Sequence, residues 1–343
     1  MYQRILVPLD GSERAERAIP VAARIARTSG ASIVFVHVVL PAVEFGTYTA
    51  DHLVALKPGA FKRRLAKAND YLTNVVTAYA SNLAGIDVAT DIVSGAASPA
   101  IFSAARWDQV DLVILCSHGE TGLKRWLFSS VAQEAVRHSP VPVLVLNENN
   151  MVPKALEETH PLRVLVPLDG SPLAETALEP AAHLSSLLAA PAPIELHLLR
   201  VVDLPVTGGK FPINSDAALR KEAWQEAEAY LKEVTDRLQE SLVDVKVNIA
   251  SSAVMSIDIA GTIIQQAHES GYDLIAMTTH GRNGLRRLMM GSVTEHVLGA
   301  TKLPLLIVRP HKVETQVQRE AGTKTEERSL TGNTELEVIT YAM

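Results

Sequence analysis

The chain has 343 residues, 47% apolar and 20% charged, a balance that excludes an intrinsically disordered protein and leaves room for two cores at about 150 residues per domain. Thirty-two basic against thirty-eight acidic residues give a net charge of -6, which argues against a basic face for sequence-independent nucleic-acid binding. The lone cysteine, Cys116, excludes an intramolecular disulfide framework and any zinc site with two or more thiolates, and it implies a reducing, cytoplasmic setting.

The N-terminal MYQRILVPLDGS lacks the apolar core of an export signal, and the first strand is expected within it at Ile5 to Leu9. Asp10, Gly11 and Ser12 follow, then a helix from Glu13 to Ser29 with Ala15, Ala18, Ala22 and Ile25 on one face. Pro20 lies inside that helix and predicts a kink or break, because the lost backbone bond costs about 3 kcal/mol. The apolar stretch near residues 33–43 is interrupted by His37 and ends at a proline, far short of the roughly 18 residues that cross a bilayer. It reads instead as a second strand, Ile33 to Leu40, and no membrane partner is expected. A helix over Ala60 to Asn82 carries Leu65, Leu72, Val76 and Tyr79, and further strands are expected at Val88 to Val93, Leu112 to Cys116 and Val141 to Leu146. A glycine-containing loop after the fourth strand leads into a helix starting at Ser130.

The same order then repeats. RILVPLDGS from Arg4 to Ser12 returns as RVLVPLDGS from Arg163 to Ser171, identical at eight of nine positions and offset by 159. SHGETGLKRWLFSSV from Ser117 returns as THGRNGLRRLMMGSV from Thr279, and VPVLVL at Val141 returns as LPLLIV at Leu303, both at offset 162. A nearly constant offset across each copy means a duplicated domain: residues 1–147 and 161–311, with a polar linker over 148–160 and a tail over 312–343 of disordered character. Pro180 repeats the break expected at Pro20. The expected fold class is α/β: two tandem, Rossmann-like, doubly wound domains, each a five-stranded parallel sheet with helices on both faces. Such sheets take ligands beyond the carboxyl ends of their strands at the switch in strand order, just after strands one and four.

Both repeated motifs lie there. In the second copy Gly281, Gly284 and Gly291 would let backbone N–H groups approach an anion, with Ser292 placed to cap the next helix. The alternative is an ordinary strand-to-helix connection that needs glycine and serine for its turn alone. Asp10 and Asp169 could accept from a ribose hydroxyl or an adenine amine, or could simply cap the next helix. His118 and His280 could donate to a phosphate or orient their own loops, while Lys124, Arg125, Arg286 and Arg287 could neutralise a terminal phosphate or form a solvated face. Neither a P-loop, a GxSxG elbow nor an HExxH pair occurs, and no catalytic nucleophile or metal-ligand set emerges.

VPLDGS after the first strand, SHG or THG, the glycine-rich loop, GSV and the closing VPVLVL together resemble the universal stress protein family over both copies. The nucleotide-binding pattern of that family, G-x2-G-x9-G-[ST], falls on Thr278, Gly281, Gly291 and Ser292 in the second copy, where the first glycine is replaced. In the first copy it falls on Cys116, Gly119, Ser129 and Ser130, where two glycines are replaced. The resemblance implies base and ribose contacts from Pro167, Asp169 and Val201, with His280, Gly284, Val293 and Thr294 completing the second-half set. The first-half counterparts are Pro8, Asp10, Val38, Gly122 and Val131, in a weaker or absent site. It further implies ATP or another adenine nucleotide as ligand, with any Mg carried by the nucleotide, and pairing of the two domains through Val141 to Leu146 and Leu303 to Val308; a homodimer stays open.

The function implied is a cytoplasmic, nucleotide-responsive binding module of the stress response, with no enzyme activity beyond slow ATP hydrolysis. The alternatives are an adenylyl-transfer or hydrolytic enzyme, for which an SGGxDS loop is expected where LDGSER and LDGSPL stand, and a nucleotide-free scaffold. Ser129 in place of Gly291 would cost the first copy on the order of 1 kcal/mol if that position required a positive φ.

Overall fold

A computed structural model describes residues 2–40, 60–117, 130–147, 161–203, 213–243, 245–280 and 290–310. The first half contains β1 (Arg4–Leu9), α1 (Glu13–Glu16), α2 (Ala18–Ser29), β2 (Ser32–Val39), α3 (Ala60–Ala78), α4 (Ala80–Leu83), β3 (Val88–Ser94), α5 (Ala97–Trp107), β4 (Leu112–Ser117), α6 (Ser130–His138) and β5 (Val143–Asn147). The second repeats the plan with β6 (Leu162–Pro167), α7 (Pro172–Glu175), α8 (Leu178–Ala189), β7 (Ile194–Asp203), α9 (Ile213–Ser241), β8 (Val247–Ser256), α10 (Ile259–Glu269), β9 (Leu274–Thr278), α11 (Ser292–Ala300) and β10 (Leu305–Val308).

The strands form one ten-stranded sheet in the order β3-β2-β1-β4-β5-β10-β9-β6-β7-β8. Within each half all five strands are parallel, and the halves are joined by the antiparallel pairing of β5 with β10, Leu144 opposite Leu306. These are the strands expected to join the two copies, each starting two residues later than the apolar run that announced it. Order reverses between β1 and β4 and again between β6 and β9, so each half has its own switch point.

Both faces of the sheet are covered at its centre, which is why the inner strands read as apolar runs, while the edge strands β3 and β8 mix polar and apolar residues. Ile5, Val7 and Leu9 point into one core with Phe35 and the apolar sides of α2 and α8; Leu6, Val34 and Val36 point into the other, under α5 and α6. The first core is continuous across the halves, where Arg24 of α2 donates from Nε to the Leu188 carbonyl at 2.6 Å and from Nη2 to that of Ala190 at 2.9 Å.

The breaks expected at the two prolines occur, one turn before each ring. The N–H missing from Pro20 would have reached the Glu16 carbonyl; there α1 stops and α2 begins at Ala18. Pro180 acts alike on Thr176, between α7 and α8. The expected helix over 60–82 is two segments, divided at Tyr79, whose φ of -98° and ψ of 17° leave the α region.

Candidate functional site

The peptide after each first strand must turn sharply, and a glycine in the left-handed region does it: Gly11 at φ 87° and Gly170 at φ 82°. Asp169 Oδ1 accepts the Ser171 N–H at 2.9 Å and its hydroxyl at 2.6 Å, while Ser171 Oγ accepts the Ala174 N–H at 3.2 Å and so caps α7. The first half copies this with Asp10, Ser12 and Ala15 at 3.0, 2.6 and 3.2 Å. In both halves the helix is therefore capped by the serine, and the aspartate Oδ1 holds that serine in place.

A second layer supports each turn. In the first half the Tyr71 hydroxyl donates to Glu16 Oε1 at 3.0 Å, and His37 Nδ1 bonds the Leu9 carbonyl at 2.8 Å with its ring 5.4 Å from that of Tyr71. In the second half Arg200 Nη1 donates to the Leu168 carbonyl at 3.3 Å, and Arg237 pairs with Glu175. Burial first, and then the neighbouring glutamate, push the phenols of Tyr71 and Tyr230 well above the ordinary tyrosine range, so both stay protonated. Sequence reasoning passed over these residues, although Glu16 with Glu175 and Tyr71 with Tyr230 recur at the same offset of 159 as the VPLDGS motif.

On the other side of β6, the end of β9 is knotted to the start of α11. Thr294 Oγ1 donates to the Thr278 carbonyl at 2.8 Å, the Gly291 N–H donates to the Thr279 carbonyl at 2.9 Å, and Thr279 N–H donates to the Val308 carbonyl at 3.0 Å. Thr278 Oγ1 donates to the His280 carbonyl at 2.7 Å, and His280 Nδ1 lies 2.8 Å from Thr279 Oγ1. The Nε2 of His280 is buried and has no hydrogen-bond partner among the described residues.

This geometry corrects two expectations. The N-cap of α11 is Gly291, not Ser292, which is the first helical residue. Gly291 has φ -61° and ψ 140°, extended backbone that any residue adopts, so no strain separates glycine from serine there. What glycine supplies is space: a Cβ at 291 would stand 3.3 Å from the Thr279 carbonyl oxygen, tighter than most such contacts, so that carbonyl would have to give by a few tenths of an ångström. Because the Gly291 N–H already serves Thr279, the donors that α11 leaves without intrahelical acceptors are those of Ser292, Val293 and Thr294.

Strand β6 brings the two groups to one place. Pro167 is in register with Leu199 of β7, putting Val201 just beyond it on one side, while Leu165 is in register with Ile275 of β9, putting Thr278 and its knot on the other. Val201 and Val38 both face the core beneath α5, α6, α10 and α11. Pro8 holds the corresponding place in the first half, in register with Val36. His118, Gly119, Gly122, Lys124, Arg125 and Ser129, and in the second half Gly281, Gly284, Arg286 and Arg287, lie outside the described residues, as does the side chain of Ser130. Val131 is half-buried in the first turn of α6. Among the described residues no cluster of three or more histidine, cysteine or carboxylate side chains could hold a metal ion, and no helix is long and apolar enough to cross a membrane.

A tandem doubly wound sheet with a serine-capped aspartate turn after the first strand of each half, and a glycine-started helix at the second switch point, defines a class, and the universal stress protein family model matches it twice, over residues 1–147 and 162–309. The chain belongs to that family. It is similar to a universal stress protein of Mycolicibacterium smegmatis, 27% identical over 314 residues that cover 89% of this chain and 97% of the relative. A Methanocaldococcus jannaschii universal stress protein is 32% identical over 157 residues, 44% of this chain and 84% of that protein. Its fold is shared with the crystal structure of an Archaeoglobus fulgidus universal stress protein, at a TM-score of 0.61 and 20% identity, covering 89% of this chain and 98% of that one.

Proposed function

We propose that the protein is a nucleotide-responsive binding module, which takes ATP or another adenine nucleotide in the second half and changes shape or partner in response. The observation that carries this reading is the second switch point, where a buried imidazole nitrogen without a partner among the described residues stands beside a helix start. A phosphate oxygen accepting from that nitrogen would satisfy it. The N–H groups of Ser292, Val293 and Thr294, with the helix dipole, would receive the phosphates. Pro167, Asp169 and Val201 would border the base and ribose. Any Mg would be held by the phosphates, since the described residues offer no carboxylate cluster.

Residues 1–147 and 161–311 act in this reading as two units joined by 148–160, with 312–343 as a tail, in a cytoplasmic setting. The nucleotide-free scaffold is favoured by one observation: the Oδ1 atoms of both aspartates are already engaged by the capping serines. Analysis of the nucleotide carried by purified protein, followed over hours for conversion, separates the readings. Bound ATP that persists supports the binding module. Steady product formation indicates an enzyme, and absence of nucleotide with no uptake on titration indicates the scaffold.

A further inference from the structure

Far from the crevice, at the amino-terminal end of the strands, the second half holds a cavity of about 250 Å³ lined by Arg163, Glu195, His197, Asn248, Ala250 and Tyr272. Arg163 begins β6 much as Arg4 begins β1: each donates its backbone N–H to an aspartate, Asp273 at 2.9 Å and Asp111 at 3.2 Å. From there the halves diverge. Arg4 Nε bonds Ser32 Oγ at 3.2 Å, whereas Arg163 Nε pairs with Glu195 Oε2 at 3.1 Å and its guanidinium lies 4.8 Å over the Tyr272 ring. Leu6 is in register with Val34, but its repeat counterpart Leu165 is in register with His197. Val110, the residue before Asp111, is answered by Tyr272, the residue before Asp273. A buried aliphatic pair has become a histidine and a tyrosine, their rings 5.7 Å apart.

His197 is also the side chain that ties the edge strand down. Its Nε2 lies 2.7 Å from Ser252 Oγ on β8, the outermost strand of the sheet, which has only β7 beside it. The groups facing the imidazole all oppose or fail to reward a positive charge. From β6 comes the Arg163 guanidinium; from β7 the Glu195 carboxylate, already paired to that arginine; from β8 the neutral Ser252 and Asn248; and from the approach to β9 the protonated Tyr272 and Asp273, which serves the Arg163 N–H. The helix over this face, α10, carries His268 and Glu269 in its last turn, both exposed. Burial first, and then Arg163, hold the His197 ring below the usual histidine range.

We propose that the β7–β8 edge is a proton-sensitive seam: protonation of His197 loosens β8 from β7, whereas at the corresponding place in the first half stands Val34, and the one histidine of β2, His37, bonds the Leu9 carbonyl of β1 rather than the edge strand. The sign follows from linkage. Above the ordinary histidine value of 6.5 the seam is fully stable; as pH falls below 6.5 the opened form binds the proton first, and stability is lost until the closed form is protonated too. At pH 5.5 the loss cannot exceed about elevenfold in the opening equilibrium, the limit for one group with an unperturbed value of 6.5.

Amide hydrogen exchange on the full chain, expressed as protection factors at pH 7.5 and 5.5, tests this. In wild type, protection of β8 over Val247–Ser256 should fall two- to tenfold more than protection of the opposite edge, β3 over Val88–Ser94, and His197→Gln should abolish the difference. Equal losses at both edges, or the same loss in H197Q, would overturn the proposal. Should H197Q fail to fold, titration of the imidazole carbon resonances in wild type decides instead: a midpoint below 6.5 supports the seam and one at or above 6.5 contradicts it.

Discussion

The two halves share a backbone plan to the level of single hydrogen bonds and differ in what they place on it. Asp10 and Asp169 make the same two bonds to the following serine, within 0.1 Å, and Pro20 and Pro180 break the same helix at the same turn. Yet His37 supports the first turn where Arg200 supports the second, and Val34 fills the first core where His197 lines a cavity in the second. Ser129 stands at the repeat position of Gly291. Residues that shape the chain recur; residues that meet solvent or a ligand have diverged. The second half keeps glycine at 291 where the first has Ser129, and that difference in sequence is why the second half is proposed to take the ligand.

The largest effect should come from Gly291→Arg. Its Cβ would crowd the Thr279 carbonyl at 3.3 Å, and the long cationic side chain is expected to compete for the first turn of α11. Two lost N–H bonds to a charged acceptor, at about 1.5 to 3 kcal/mol each, mean an affinity loss of more than a hundredfold. Calorimetry on a variant that keeps its wild-type circular dichroism should show no nucleotide binding; unchanged affinity would remove α11 from the site.

Next in size is the paired comparison of Asp169→Ala with Asp10→Ala. Because each carboxylate orders a capping serine, both variants should lose about 0.5 to 2 kcal/mol of stability, read by urea denaturation. Only Asp169→Ala should also weaken nucleotide binding, by at least tenfold. Equal losses of affinity would show that the halves are equivalent.

Smaller still is Arg137→Ala. Arg137 of α6 donates to Glu295 Oε1 in the first turn of α11 at 3.0 Å, and the repeat positions Gln133 and Gly299 cannot form the reciprocal pair. Both partners are partly exposed, so the cost should stay below about 1 kcal/mol and vanish in high salt. A larger, salt-independent loss would mean that this one-way bridge holds the halves together. Ending the chain after His311 should have the least effect, with melting temperature and nucleotide affinity unchanged; a drop of several degrees would give the tail a docked role.

Much of the fold was legible because it rests on patterns that single sequences carry. Buried parallel strands are apolar runs, proline ends a helix one turn before it where an interior backbone bond would be lost, and a duplicated chain supplies its own alignment. Strand-helix alternation gave the doubly wound class, and with it the expectation that a ligand lies beyond the carboxyl ends of the strands. The cap of α11 was misread because glycine and serine are both common caps, and only the φ and ψ of residue 291 decide between them. The reason for glycine there was misread too: its neighbour, Thr279, is twelve residues away in sequence and adjacent only in space. Tyr71 and Tyr230 lie outside the repeated motifs, and in the sequence only their shared offset of 159 marks them.

The central claim is that one chain carries one working nucleotide site, in the second half. Isothermal titration of the intact protein with ATP tests it most directly. The account predicts a stoichiometry near one per chain, lost in Gly291→Arg and kept in Asp10→Ala; two equal sites, or a single site that survives Gly291→Arg, would contradict it.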